Sequence, residues 1–393
     1  MDSSLHKSSK QALPNQNSDR YLISFIVPVY NTEAYLKETL DSIAACGGQD
    51  IEIIVVDDGS KDNSAQEIAA WVGSHDIPVQ VVHQENQGLS AARMAGLALA
   101  SGTFIGFCDS DDRVDVAVYL KMARLAKGRS CDIAICRSIV YDSATEESYD
   151  FYDWGVWQTI LGHTHTQVLN AVSEPRLFRL EPNANTRLLR RSFIEKHRFE
   201  FPIGLIFEDF PVHVHSLAVA SSVLLMNETG YFYRVNRSGK ITDQKSAKRF
   251  DILKTARLAF EYSKGVNDSG LVQIVGMACR MIYWCGANTL NVDRARFFEE
   301  GCALLSEFVE ERIWLQAYAD VHDEQEKLIM SAFAACAEGL LIDKAAKCRP
   351  RLKSALTLLT SKRHGKLARR VASRIVRRRL GRIVRYPARL VRF

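Results

Sequence analysis

The chain has 393 residues, a length that suggests two or more structural units. Its composition, 47% hydrophobic and 25% charged with a net charge of +5, is typical of a folded protein. Residues 1–20 are polar and are expected to form a disordered lead, not a signal peptide, and no uncharged apolar run approaches the roughly 18–20 residues of a membrane-spanning helix. The nine cysteines form no CxxC pair and lie mostly in apolar runs, which argues against a disulfide framework or zinc ribbon and favours reduced thiols in the cytosol.

Apolar runs of strand length alternate with helical stretches through the first 140 residues. The sequence predicts strands over residues 21–29, 51–56, 78–83, 103–108 and 132–140, and helices over residues 32–46, 64–72, 90–100 and 115–127. Asn31 and Asn63 stand just before the first two helices and have side chains preferred at helix N-caps. Elements of these lengths are typical of βαβ units, so we predict an α/β fold with a mostly parallel sheet flanked by helices.

Polar clusters follow three of these strands at their carboxyl ends, where open α/β sheets bind ligands. They are residues 28–31, 57–60 and 109–112. The chain contains no GxGxxG, GxxxxGKS or GxxxxGKT sequence, so we expect carboxylates to hold a bound diphosphate through a divalent cation. If the tip after this strand is extended, Asp109 and Asp111, two residues apart, are expected on the same side, and their oxygens suit Mg²⁺ or Mn²⁺. Taken singly, each cluster is also typical of a solvated turn or a helix cap, and only their combination favours function.

Four stretches of the chain resemble the family 2 glycosyltransferases of the GT-A fold. They are FIVPVYN at residues 25–31, VVDDGS at 55–60, QGLSAAR at 87–93 and DSDD at 109–112. The resemblance covers roughly residues 21–240 and implies a GT-A glycosyltransferase domain over residues 21–245. It also implies a nucleotide-sugar donor and Mn²⁺ or Mg²⁺ as the cofactor.

The resemblance implies roles for residues at the first two clusters and at the start of the third. Pro28 and Tyr30 would line the nucleotide base, and Asp57 would lie beside that base. Asp58 belongs to the same nucleotide-sugar-binding set. Asp109 would lie near the ribose and contribute to the metal site.

The resemblance further implies that Asp111 is the metal ligand and that Arg93 helps to position the nucleotide. Asp112 belongs to the same binding set and is an alternative ligand, since the sequence does not separate it from Asp111. A proline common in the family shortly after this cluster is replaced by Val116, which affects helix geometry more than chemistry.

A transferase also needs a base for the acceptor hydroxyl, and Glu208 and Asp209 supply paired carboxylates just before Pro211, a residue suited to the first turn of a helix. The local sequence alone favours Asp209 as a helix cap. The resemblance favours Asp209 as the catalytic base with Glu208 beside it. One base without a second carboxylate nucleophile implies a single displacement with inversion at the anomeric carbon.

Three further features flank these motifs. Arg187 stands where the family resemblance leads us to expect a lysine, and Arg234 and Arg237 are candidates for contact with the diphosphate or for exposed rim charges. Residues 149–165 are rich in aromatic side chains, which fits either an acceptor-binding wall or a small satellite core.

Residues 246–345 show apolar side chains at three- and four-residue spacing and are predicted to form a helical domain. No acidic residue follows Asp343, whereas residues 344–392 contain 18 Lys and Arg. The chain before residue 344 therefore has the other 33 of the 51 basic residues and all 46 acidic residues, so it is acidic. We interpret residues 346–393 as a basic amphipathic tail that binds an anionic membrane surface, in preference to a nucleic-acid arm.

Together these features predict an inverting, metal-dependent glycosyltransferase. It would be cytoplasmic and peripheral on the inner face of the cell membrane, with a glycan or lipid-linked acceptor in surface polysaccharide synthesis. A nucleotidyltransferase and a non-catalytic nucleotide-sugar-binding scaffold are the alternatives. The Gly59-Ser60 turn and the placement of Glu208 and Asp209 fit a nucleotidyltransferase poorly.

Overall fold

The structure, a computed structural model, describes residues 20–46, 48–236 and 246–345. The predicted lead before residue 20 and the predicted tail at residues 346–393 lie outside the described residues. The proposed domain boundary at residue 245 coincides with the end of the undescribed stretch 237–245 and stays a prediction.

One mixed sheet forms the centre of the described chain. Its strands are β1 (Tyr21–Val29), β2 (Ile51–Asp57), β3 (Val79–His83), β4 (Gly102–Phe107), β5 (Arg113–Val114), β6 (Ile133–Asp142), β7 (Ser148–Asp150), β8 (Thr166–Leu169), β9 (Arg187–Arg190) and β10 (Val223–Val235). Their order is β3-β2-β1-β4-β9-β6-β10-β5, with β7 beside β6 and β8 beside β10. The five predicted strands correspond to β1, β2, β3, β4 and β6, with ends within two residues of the prediction.

Helices connect these strands and continue beyond them. They are α1 (Glu33–Ala44), α2 (Ser64–Ser74), α3 (Leu89–Leu97), α4 (Val116–Gly128), α5 (Trp154–Leu161), α6 (Arg191–His197), α7 (Asp209–Val219), α8 (Asp251–Tyr262), α9 (Asp268–Ala287), α10 (Arg294–Phe308), α11 (Glu311–Asp320), α12 (Glu324–Ala334) and α13 (Glu338–Ala345). The α/β fold and the helical C-terminal region predicted from the sequence are confirmed.

The first strands are buried on both faces. Phe25 and Val27 of β1 pack in one apolar cluster, whereas Ile26 between them belongs to the cluster on the opposite face. Successive side chains of a strand point to opposite sides, so a continuous apolar run is what a strand covered on both sides requires. The carboxyl ends of β1, β2 and β4 therefore open at one edge, because these three strands are parallel.

The sheet is mixed because β9 lies between β4 and β6 and runs antiparallel to both. β10 is parallel to β6 over most of its length and antiparallel to β5 and β8. The predicted parallel arrangement thus holds for β3, β2, β1 and β4 and does not extend across the whole sheet.

Asn31 does not cap α1 as predicted. The N-cap position is Thr32, and Asn31 has a left-handed φ of 52°. Its side-chain oxygen instead accepts the backbone N–H of Lys61 at 2.6 Å, and its own N–H donates to Ser60 Oγ at 3.1 Å. Asn31 therefore joins the turn after β1 to the turn after β2. Asn63 does occupy the N-cap position of α2, without a capping hydrogen bond from its side chain.

The helical C-terminal region shares its core with the sheet. One cluster of buried apolar residues contains Ile26 and Phe107 of the sheet together with Ile252, Val275 and Phe333 of the helices. Among the described residues, α9 is the one helix that is long and apolar enough to cross a membrane. However, 61% of its apolar stretch is buried inside the protein, as in the core helix of a folded domain. The helices thus cover one face of the sheet.

Candidate active site

The turns after β1 and β2 meet at the carboxyl edge of the sheet. Pro28 is buried at the end of β1, whereas the Tyr30 side chain is exposed. Asp57 ends β2, accepts the backbone N–H of Ser60 at 3.0 Å and contacts His83 Nδ1 at 3.1 Å. Burial opposes ionisation of Asp57, but these partners outweigh it and lower its pKa. Asp57 is therefore held as a negative charge at the end of β2, opposite Val29 at the end of β1.

Asp58 orders the loop that leads into α3. Its carboxylate accepts the backbone N–H groups of Gln87 at 2.9 Å and Gly88 at 2.8 Å, and the side-chain amide of Gln84 at 2.7 Å. Asp58 is buried, and Gly88 takes the left-handed φ of 90° that this approach requires. The structure thus gives the carboxylate a loop-ordering role and does not support the predicted contact with the donor.

The acidic cluster after β4 has one partly exposed member, Asp109, and two largely buried ones, Asp111 and Asp112. Side-chain exposure is 27% for Asp109, and residue exposure falls to 8% for Asp111 and 1% for Asp112. Asp112 accepts the backbone N–H of Arg234 at 2.7 Å and the hydroxyl of Tyr231. Burial, then the charges of Asp111 and Asp109, raise its pKa well above the usual value. Asp112 therefore anchors the turn, and the structure does not support it as an alternative metal ligand.

The partly exposed Asp109 and the largely buried Asp111 supply two carboxylates for a cation that arrives with a diphosphate. No group of three or more His, Cys, Asp or Glu side chains in the described part of the chain is arranged to hold a metal by itself. Mg²⁺ is commonly held by only one or two carboxylates, with substrate phosphates and water as the other ligands. Burial and then the three aspartates also raise the pKa of the neighbouring Cys108 thiol, which shows the negative charge gathered here.

The second pair of carboxylates lies at the start of α7. Asp209 is the first residue of this helix, Glu208 occupies the N-cap position without a capping side-chain bond, and Pro211 lies in the first turn. Phe207 before them has a left-handed φ of 65°, which is unusual for a bulky residue. Asp209 is therefore not the helix cap that the local sequence favours, and the positive end of the helix dipole stabilises its charge.

Arg93 of α3 contacts carboxylates of both acidic groups, the one after β4 and the one at the start of α7. Its Nη1 lies 2.9 Å from Glu208 Oε1 and 2.7 Å from Asp209 Oδ1, and its Nη2 lies 3.1 Å from Asp109 Oδ1. The side chain is only 1% exposed. Burial opposes its charge, but the three carboxylates outweigh burial and raise its pKa. Arg93 is therefore buried behind these carboxylates, and its predicted part in positioning the nucleotide stays a prediction.

The surroundings of Glu208 and Asp209 raise the pKa of both carboxyl groups. Burial, then Asp209, raise the pKa of Glu208 to about 7, against the opposing effect of Arg93. Burial also raises the pKa of Asp209, while Arg93, the Ala184 N–H and Arg187 oppose that rise. A carboxylate whose pKa is raised toward the working pH is a better general base.

Two further charged residues lie near Asp209 and were not assigned roles from the sequence. Arg187 is buried in β9 and donates to the backbone carbonyls of Asn183 and Glu181. Burial raises the pKa of Glu181 to about 8. Glutamate is normally a surface residue, so nothing in the local sequence signals that Glu181 is buried. The lysine-to-arginine departure at residue 187 was the one available signal for Arg187.

Arg234 does not extend toward a diphosphate. Its Nε donates to the backbone oxygen of Asp111 at 2.8 Å, and its Nη2 contacts Glu38 Oε2 at 2.6 Å. Arg237, the other predicted diphosphate contact, lies outside the described residues.

The aromatic segment 149–165 divides between core and surface. Trp157 is buried and donates to Asp153 Oδ2 at 3.1 Å, whereas Tyr149 and Tyr152 are about half exposed. Part of the segment is thus a core element, and the exposed tyrosines leave the predicted acceptor wall as a prediction.

The sequence of this chain is similar to those of known proteins. Residues 24–183 match the family model described as Glycosyl transferase family 2. The chain is 34% identical over 232 residues to the putative glycosyltransferase EpsH of Bacillus subtilis, and this match covers 58% of this chain and 65% of that protein. It is 31% identical over 252 residues to the glycosyltransferase GlyG of Streptococcus pneumoniae serotype 4, and this match covers 63% of this chain and 80% of that protein. The match to EpsH thus spans slightly less than two thirds of that relative.

The fold is also similar to that of S. aureus TarS 1–349 in complex with UDP-GlcNAc. The TM-score is 0.62, and the match covers 84% of this chain and 93% of that chain at 17% sequence identity. At this identity the similarity concerns the fold.

Proposed function

The chain belongs to the family 2 glycosyltransferases, and from this premise we propose that it transfers a sugar from a nucleotide-sugar donor to a glycan acceptor with inversion. One observation carries the proposal. The carboxylates Asp109 and Asp209 come from segments 100 residues apart in sequence and contact the same guanidinium, at 3.1 and 2.7 Å. A donor-side carboxylate and a candidate base are thus held side by side at the ligand-binding edge of the sheet.

The proposed donor is a nucleoside diphosphate sugar, with Tyr30 and Asp57 beside the base and Asp109 and Asp111 beside the diphosphate. The fold neighbour TarS in complex with UDP-GlcNAc supports this class of donor. Asp109 and Asp111 would hold Mn²⁺ or Mg²⁺ together with the diphosphate oxygens. When bound, such a cation neutralises charge on the leaving nucleoside diphosphate.

Asp209 is the proposed general base. Its side chain is 23% exposed, against 8% for Glu208, so Asp209 is the member of the pair that an acceptor reaches more easily. As the acceptor oxygen bonds to the anomeric carbon, the bond from that carbon to the diphosphate oxygen breaks and Asp209 takes the hydroxyl proton. Attack opposite the leaving group inverts the anomeric carbon. Positioning by Arg93 and the raised pKa of Asp209 support this role.

The proposed location is the inner face of the cell membrane, with a lipid-linked acceptor in surface polysaccharide synthesis. The basic residues between 344 and 392, with no acidic residue among them, support this part of the proposal.

The function is tested with purified full-length protein and a set of UDP-, GDP-, CMP- and dTDP-sugars in the presence of Mn²⁺ or Mg²⁺. The released nucleotide measures donor hydrolysis. We expect one donor to be hydrolysed, and Asp209→Asn to lower turnover roughly 10²–10⁴-fold, because the isosteric amide cannot accept the proton. Affinity for the corresponding nucleotide should remain nearly unchanged. Normal turnover in Asp209→Asn would move the base to another residue, with Glu208→Gln as the next variant to measure.

A further inference from the structure

A single buried arginine spans the two acidic groups of the proposed reaction centre. Arg93 donates from Nη1 to Glu208 Oε1 and Asp209 Oδ1, and from Nη2 to Asp109 Oδ1. Asp109 follows the strand β4, and Asp209 begins the helix α7. The donor-side and acceptor-side carboxylates thus share one rigid partner.

We propose that Arg93 is a positioning residue, which fixes the distance and angle between the donor carboxylate Asp109 and the base Asp209. This inference rests on the proposed function and gives Arg93 a role that does not involve contact with the substrate. A planar guanidinium offers several donors in a fixed fork, so it sets the directions of its partners as well as neutralising them. A lysine would supply the same charge from a single nitrogen atom.

The surroundings of Arg93 hold the fork in place. The guanidinium carbon lies 5.7 Å from the centre of the Phe107 ring and 5.1 Å from the centre of the Phe201 ring. The helix that carries it also lies close to β1, because a Cβ added at Gly96 would come within 2.4 Å of Ile26 Cγ2. Arg93 therefore has little freedom to follow its partners if they move.

Three carboxylates around one guanidinium also give Arg93 a part in stability. Without Arg93, Glu208 and Asp209 would repel each other in a buried site, which is costly. The test must therefore separate loss of folded protein from loss of alignment. A residue that acts only on stability lowers the melting temperature without changing turnover per folded molecule.

The first test compares Arg93→Lys and Arg93→Met with wild type, using the donor identified by the nucleotide-sugar screen. We expect kcat to fall about 10²-fold in Arg93→Lys, as for a small misplacement of a catalytic group, with KM changed by less than about 3-fold. The double variant Arg93→Lys with Asp209→Asn should be no slower than Asp209→Asn alone, since both act on one step. Multiplicative losses, or a normal kcat in Arg93→Lys, would overturn the proposal.

Arg190→Lys is the matched control. Arg190 packs over the Phe104 ring and donates to the backbone carbonyls of Cys131 and Ala126, away from the acidic groups. We expect this variant to lose stability while keeping kcat. If Arg190→Lys lowers kcat as much as Arg93→Lys, the effect is a general one of replacing hydrogen-bonded arginines by lysine and the positioning role is wrong.

A second measurement needs no substrate. Amide hydrogen exchange over residues 207–210 should quicken about 10-fold or more in Arg93→Met, because the start of α7 loses its contact with α3. Unchanged exchange there would overturn the inference even if no nucleotide sugar is hydrolysed. Quicker exchange together with an inactive wild type would instead refute the proposed function and leave the positioning contact in place.

Discussion

The backbone N–H of Arg234 donates to the carboxylate of Asp112 at 2.7 Å and so ties the end of β10 to the turn after β4. Tyr231 donates its hydroxyl to the same carboxylate. Asp112 thus serves as an internal acceptor for two donors that lack access to water.

Replacing Asp112 by alanine should destabilise the fold by about 3 kcal/mol, because the Arg234 N–H and the Tyr231 hydroxyl lose their shared acceptor. Urea unfolding followed by circular dichroism measures this loss. Asp50→Ala removes a carboxylate from the exposed ion pair with Arg124 and should cost less than about 1 kcal/mol. Similar losses in the two variants would contradict the anchoring role of Asp112.

Removing divalent cations should abolish donor hydrolysis. With Asp109 and Asp111 as the donor-side carboxylates, the leaving diphosphate keeps its charge when EDTA removes the cation. Added Mn²⁺ or Mg²⁺ should restore turnover in wild type and fail to do so in Asp111→Ala. Isothermal titration with the nucleotide, with and without Mn²⁺, gives a second readout. Undiminished hydrolysis in EDTA would exclude the metal from the mechanism.

Glu181 should make stability fall with rising pH. Its pKa is raised from 4.5 to about 8, so between these values the folded chain keeps a proton that the unfolded chain has released. Stability conferred by that proton is lost as the pH rises through this window. Glu181→Gln cannot release it, so the stability of this variant relative to wild type should increase from about pH 5 to about pH 9 in urea unfolding. Parallel pH profiles for the two proteins would show that Glu181 titrates normally.

Deleting residues 361–393 should release the protein from anionic vesicles while leaving donor hydrolysis intact. Arginines near anionic head groups contribute about 1 kcal/mol each, so binding of the full-length protein should weaken with salt. Flotation with vesicles of phosphatidylglycerol and phosphatidylcholine at low and high salt measures this. A full-length protein that ignores such vesicles and binds RNA instead would refute the membrane proposal.

The sequence located the parallel strands because each is a continuous apolar run. β9 escaped prediction because its four residues begin and end with arginine, which is typical of exposed segments. Arg187 and Arg190 extend their guanidinium groups to backbone carbonyls, an arrangement that depends on segments distant in sequence.

The site was predictable as a set of carboxylates at one edge of the sheet, since the ends of parallel strands meet there. The direction of each side chain was not. Asp58 and Asp112 are adjacent to acidic neighbours and look alike in sequence, yet each points inward to donors supplied by segments distant in sequence. Arg93 lies 115 residues from Glu208, so no local pattern reveals their contact.

The shared core of sheet and helices limits how such a chain can diversify. Ile26 and Phe107 in the sheet and Ile252 and Phe333 in the helices belong to one interlocked set of side chains. A chimera that joined this sheet to the helices of a relative would place apolar side chains against each other whose shapes are not complementary. New specificity should therefore arise by exchange of loops at the carboxyl edge of the sheet, with the sheet and the helices inherited as a pair.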